Sequence, residues 1–174
     1  MTRSAPRGFT LVEIAIALTL TGLVVAIVGS LFVASLSTWR RGQDVREAQT
    51  QASTLTDVIA RDVRNASQAP SVLIHSSFSV GEGEPVIAIT SAATQGAGAA
   101  WILYVHIVER QEVVRHVVTT GADDRVRVNQ SRVVATGVSS INAREAGGGV
   151  TVEVEVRRGL ATAQSRTTSA PRNP

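Results

Sequence analysis

The chain contains no cysteine, which excludes disulfides, zinc–thiolate sites and thiol catalysis together. It has no lysine either, so all 17 basic residues are Arg. Without Lys to titrate, a small Arg excess lifts the pI to 10.8 although the net charge is only +3. Arg3 and Arg7 supply +2 of that charge, leaving 15 Arg against 14 acids in the remainder. No dense basic stripe marks a nucleic-acid footprint. Proline is absent from Phe9 to Ala69, so nothing in that stretch forces a helix to stop. The longest absence is of charge itself: the 26 residues from Ile14 to Trp39 carry none. As a helix they would span roughly 39 Å, more than the ~30 Å hydrocarbon core of a bilayer. An ordinary cytosolic protein does not fit that pattern. Hydrophobic residues nevertheless make up only 44% of the 174-residue chain, enough for one compact domain plus an appendage.

The N-terminus reads as a short basic stretch followed by an apolar run, the general form of an export signal. A cleaved secretory signal fits poorly. The run exceeds the about 7–15 residues of a signal's apolar core, and Val33-Ala34-Ser35 is a poor cleavage site. An acid, Glu13, also sits inside the apolar segment. A carboxylate near the centre of a membrane helix costs on the order of 2.5–3.5 kcal/mol, less near an end. Nothing downstream within helical reach can pair with it; upstream there are only Arg7 and Arg3. Two accounts fit. Glu13 is a lone acid snorkelling to the interface near the helix start. Alternatively, a cut between Gly8 and Phe9 frees an α-amino group that meets the Glu13 carboxylate of an adjacent copy in a low dielectric.

Arg7-Gly8-Phe9-Thr10-Leu11-Val12-Glu13 resembles the class III signal of type IV prepilins and type II secretion pseudopilins. There, a short basic leader ends in Gly, Phe follows, and Glu stands four residues on. The resemblance implies cleavage after Gly8 by a prepilin peptidase and N-methylation of Phe9. It also implies that Glu13 neutralises the amino terminus of a neighbouring subunit during assembly. Glycine suits the cleavage site physically, because without a side chain it lets a protease approach the backbone. Arg3 and Arg7 favour a cytoplasmic N-terminus, while Arg40 and Arg41 pull the other way. The resemblance favours an exported C-terminus.

The helical pattern continues past Trp39, which suits a headgroup-level anchor or a packing contact with the head. Val45, Ala48, Ala52, Leu55, Ile59, Val63 and Ala66 form an apolar stripe of helical period, and Pro70 stops it. The expected helix runs from Phe9 to about Ser67. Beyond it the period changes to two. Val150, Val152, Val154 and Val156 alternate with polar residues, as in a half-buried antiparallel strand. Ala100–Val108 and Glu112–Thr119 suggest a hairpin. Further strands are expected at Val72–Val80, Pro85–Thr90, Arg132–Ala135, Ser139–Ala143 and Thr162–Thr168, with a frayed tail from Ser169 to Pro174. The strands around Tyr104 and Val113-Val114-Arg115, the Gly137–Ile141 segment and the Arg172-Asn173 ending resemble the larger minor pseudopilins and minor pilins. The two C-terminal cysteines of many adhesive pilins are missing.

No constellation supports catalysis. A tight turn at Arg110-Gln111 would set His106 opposite Arg115 and His116 opposite Val105, so the two rings would not converge on a metal. Asp123-Asp124 has too few neighbouring acids for a calcium loop. Glu109, Glu112, Glu153 and Glu155 read as solvated strand faces. No cofactor is expected.

The sequence thus predicts an α+β, pilin-like fold: residues 1–8 a leader, 9–39 a membrane or filament-core helix, 40–69 its amphipathic continuation, and 70–174 a β-rich head. The expected role is a minor pilin or pseudopilin that initiates or caps a type IV pilus or type II secretion filament. Its expected place is the inner membrane by a single pass, with an exported head, and then the filament. Expected partners are the prepilin peptidase, other pilins, the inner-membrane assembly platform and membrane lipid. The other readings are a competence subunit contacting DNA and a single-pass membrane protein that never polymerises.

Overall fold

The computed structural model describes residues 9–66, 71–72, 83–91, 100–120 and 126–172. One helix, α1 (Leu11–Arg64), is followed by eight described strands: β1 (Ser71–Val72), β2 (Glu84–Ser91), β3 (Ala100–Ile107), β4 (Glu112–Thr120), β5 (Val126–Thr136), β6 (Val138–Ala146), β7 (Gly149–Arg158) and β8 (Ala161–Ser169). All described pairings are antiparallel, so the chain has the expected α+β, pilin-like fold. It divides into two compact units, Met1–Gly42 and Gln43–Pro174.

In the first unit, the apolar side chains of α1 are exposed all round: Leu18, Leu23, Leu31 and Phe32 are each more than half exposed. In water that surface would be prohibitive. Burying each such side chain contributes about 1.5–3 kcal/mol, which lipid or neighbouring helices can supply.

In the second unit, α1 buries Ala48, Ala52, Leu55, Thr56, Ile59, Ala60 and Val63. The stripe is therefore where its periodicity placed it, except at its start: Val45 is 41% exposed. Period fixes which way a residue faces but not how far along the helix its cover extends. The helix also ends earlier than expected. Asn65 keeps an α-type bond to Arg61, but the Ala66 N–H bonds Val63 at 3.1 Å, a tightened last turn, and Ala66 enters an isolated bridge. Ser67 lies outside the described residues.

Five strands form one sheet in the order β1-β2-β3-β4-β5, and three form a second in the order β6-β7-β8. Both are meanders of neighbours in sequence, the simplest connection. Ile87, Ile89, Ile102, Tyr104, Val113 and Ala135 from the first sheet join Val138, Ile141, Val150, Val152, Val154, Val156 and Ala163 from the second in one core with the helix stripe. The β7 alternation is as its sequence predicted: all four valines are buried. The strands expected at Arg132–Ala135 and Ser139–Ala143 are longer than expected, whereas most of the one expected at Val72–Val80 lies outside the described residues.

The β3–β4 hairpin differs from expectation in register. Its connection is not a tight Arg110-Gln111 turn. It is a 3-10 turn at Val108–Arg110, closed by Gln111 in the left-handed region at φ 53°. The longer loop shifts every pair, so that His106 faces Val113 and His116 faces Leu103. Gly137 (φ 73°) then carries the chain from β5 to β6, where a Cβ would meet the Arg157 carbonyl at 2.8 Å.

The tail is not frayed as far as it is described. Ser169 is buried, and its hydroxyl donates to the Ala60 carbonyl at 3.1 Å. The Arg172 N–H donates to the Arg64 carbonyl at 3.3 Å. The end of the chain thus supplies hydrogen bonds to α1 carbonyls. Gly149 makes this closure possible, since a Cβ there would stand 2.3 Å from the Ser169 carbonyl. Because the obstacle is backbone, Gly149→Ala is expected to destabilise the head by about 2 kcal/mol or more. A thermal midpoint equal to the parent's would contradict this.

Candidate functional site

Of the Arg7–Glu13 segment, Leu11, Val12 and Glu13 form the first turn of α1. Gly8 lies outside the described residues; Phe9 is 83% exposed, immediately before the first helical turn. Thr10 and Glu13 form a reciprocal cap. The Thr10 N–H donates to Glu13 Oε2 at 3.0 Å, the Thr10 hydroxyl donates to the same oxygen at 3.2 Å, and the Glu13 N–H donates to the Thr10 hydroxyl at 3.2 Å. This is the capping box, in which residues three apart satisfy each other's orphan donors. The acid also lies in the first turn, where the helix dipole favours negative charge. Glu13 is therefore neither alone nor without local use. The signal is in the sequence as Thr-x-x-Glu ahead of an apolar run. Oε1 takes part in none of these three bonds. The arrangement positions a carboxylate at the helix start, bonded within the first turn through one of its two oxygens.

Trp39 is 61% exposed. Helix α1 (Leu11–Arg64) is long and apolar enough to cross a membrane.

In the head, sequence reasoning missed one polar cluster. Asp62 Oδ2 accepts from the Tyr104 hydroxyl at 2.6 Å and from Arg115 Nε at 2.6 Å. Tyr104 is fully buried, and the Asp62 and Arg115 side chains are 14% and 23% exposed. Burial, and then the Asp62 charge, push the Tyr104 phenol well above its ordinary value, so it stays a donor. The cluster fastens α1 to the middle of the first sheet. Arg158 makes a second fastening, donating to Thr136 Oγ1 and pairing with Glu47 at 3.3 Å.

The histidines do not meet. His106 is buried, with Nε2 at 3.0 Å from the Val138 carbonyl. His116 shares the opposite face with Leu103 and bonds Ser131 Oγ through Nδ1 at 2.8 Å. His75 and Asp123-Asp124 lie outside the described residues. Among the described residues no group of three or more His, Cys, Asp or Glu could hold a metal. Glu109 and Glu153 are exposed, and Glu155 accepts from Ser139 at 3.0 Å and Gln164 at 3.1 Å.

Burial pushes the His116 imidazole below its ordinary 6.5. Above the unfolded value both states are neutral and nothing is lost. As pH falls below it, the unfolded chain takes the proton more readily and stability declines. The thermal midpoint is expected to drop as pH falls below about 6.5, and His116→Gln is expected to shrink that drop. An identical pH profile in the variant would assign the acid sensitivity elsewhere.

A family model described as the prokaryotic N-terminal methylation motif matches residues 3–29. It supports a type IV prepilin-like family, which is structural and not enzymatic. No curated protein and no solved structure matches the chain. The motif and the apolar helix together suggest a membrane-anchored, single-pass pilin- or pseudopilin-like subunit.

Proposed function

We propose that this type IV prepilin-like chain is a minor pilin or pseudopilin that initiates or caps a type IV pilus or type II secretion filament. A prepilin peptidase removes residues 1–8 after Gly8 on the cytoplasmic side and methylates the new amino group of Phe9. Residues 9–39 then wait in the inner membrane, with Trp39 at the headgroup level and the head exported. On assembly the helix leaves lipid for the filament core. Helix–helix burial offsets the lost lipid contact, and the Glu13 carboxylate meets the Phe9 amine of a neighbour.

The observation that carries this reading is the placement of Glu13. The carboxylate stands at the start of a helix whose next 26 residues carry no charge, within the matched methylation motif. The minor role is supported by the head's resemblance to larger minor subunits. Counting copies in purified filaments tests it: this chain should be far less abundant than the main subunit. Equal abundance along the filament would overturn the minor assignment. Gly8→Val is expected to leave the leader attached, read as the unprocessed intact mass, because a side chain there obstructs the close approach of the peptidase.

A further inference from the structure

Strand β5 is the last strand of the first sheet. Residues 127 to 133 are exposed one after another, on both faces. Two bulges against β4 leave Asn129 and Val134 out of the backbone register. Such bulges curl an edge and shorten the length open to pairing. Between them, Gln130–Val133 remains in regular register, opposite Val117, His116, Arg115 and Val114.

That stretch has a feature stability does not favour. Arg132 stands directly opposite Arg115, and like charges facing across a strand pair are destabilising. Arg115 is already engaged by Asp62 at 2.6 Å, so the nearest guanidinium competes for charge where Arg132 needs it. The whole of β5 contains Arg127 and Arg132 and no acid. Val128 and Val133, 48% and 47% exposed, lie on one face with Val118 and Val114. Among the described strands this edge is unpaired, and a cation on one face with valines on the other suits addition of a strand of opposite pattern.

We infer that the Gln130–Val133 edge of β5 takes a short extended segment of another subunit, pairing main chain to main chain, with a carboxylate against Arg132 and an apolar side chain on Val133. A second copy of β5 is a poor occupant, because it brings two more Arg and no acid. Among the described residues of β5 duplex DNA finds two Arg, Arg127 and Arg132, too few for a phosphate track, and it gains nothing from the exposed valines. This edge goes beyond the proposed assembly role and exists in the free chain, so its test stands or falls apart from filament formation.

The experiment uses the full chain in detergent micelles and a short labelled peptide of alternating Glu and Val. Its Lys–Val counterpart and a DNA duplex serve as competing probes. The acidic peptide is expected to bind, and to slow amide hydrogen exchange across Gln130–Val133. Arg132→Glu is expected to weaken it about tenfold, while Arg132→Lys retains it. Arg132→Ala is expected to weaken binding less than Arg132→Glu does, and without lowering the thermal midpoint, which separates recognition from folding. Equal binding of the Lys peptide, tighter binding of DNA, protection mapping elsewhere, or no binding of the acidic peptide would each overturn the inference.

Discussion

Glu13→Gln is expected to leave leader cleavage intact and to reduce incorporation into filaments by on the order of tenfold or more, the loss of one charge pair in a low dielectric. This variant is more telling than Glu13→Ala. Gln at the third helical position preserves the capping box, so the Thr10–Glu13 bonds seen here have a substitute and only the charge goes. Thr10→Ala is the complementary change. It removes the cap, costing about 1 kcal/mol of helix stability, and retains the carboxylate. If the charge carries assembly, Gln and Ala at position 13 both fail while Thr10→Ala still assembles. If Glu13 serves only as a cap, Gln assembles normally and Thr10→Ala is the defective variant. Counting subunits in purified filaments against membrane-held precursor separates the two patterns.

Asp62→Ala is expected to be the most damaging single change in the head away from its core valines. It strips the buried Tyr104 hydroxyl of its acceptor and the half-buried Arg115 of its counter-charge. Breaking a buried pair by removing one partner costs about 3–5 kcal/mol. The 14% and 23% exposure of the two side chains argues for the lower end, about 3 kcal/mol, or a midpoint fall of roughly 10 °C. Tyr104→Phe removes one hydrogen bond and leaves the ion pair, for about 1 kcal/mol. The double variant should cost less than the sum, because both changes act on one oxygen. Strict additivity in thermal or denaturant unfolding would show that the three groups do not act together.

What the sequence revealed followed from periodicity. Ala48, Ala52, Leu55, Ile59 and Val63 repeat every three or four residues, and their burial followed. Val150 to Val156 alternate, and theirs did too. What it hid depended on distances between elements. The β3–β4 register turned on whether Arg110-Gln111 or Val108–Gln111 made the bend, one loop conformation that moved every facing pair. Asp62 sits one position before Val63 of the apolar stripe, where helical period alone gives it no partner. Its partners are 42 and 53 residues away, and no local pattern links them before the strand order is known. The tail read as frayed because it is short and polar, yet Ser169 and Arg172 find backbone acceptors on α1. At the leader, Thr10 and Glu13 were both legible, and the capping box between them was the simplest local reading of that spacing.

The chain recovered from its host after export, weighed intact, addresses the account most directly. A mass beginning at Phe9 and carrying one additional methyl group is the predicted result. A mass that still includes Met1 through Gly8 would contradict it, for then no new amine exists for Glu13 to meet.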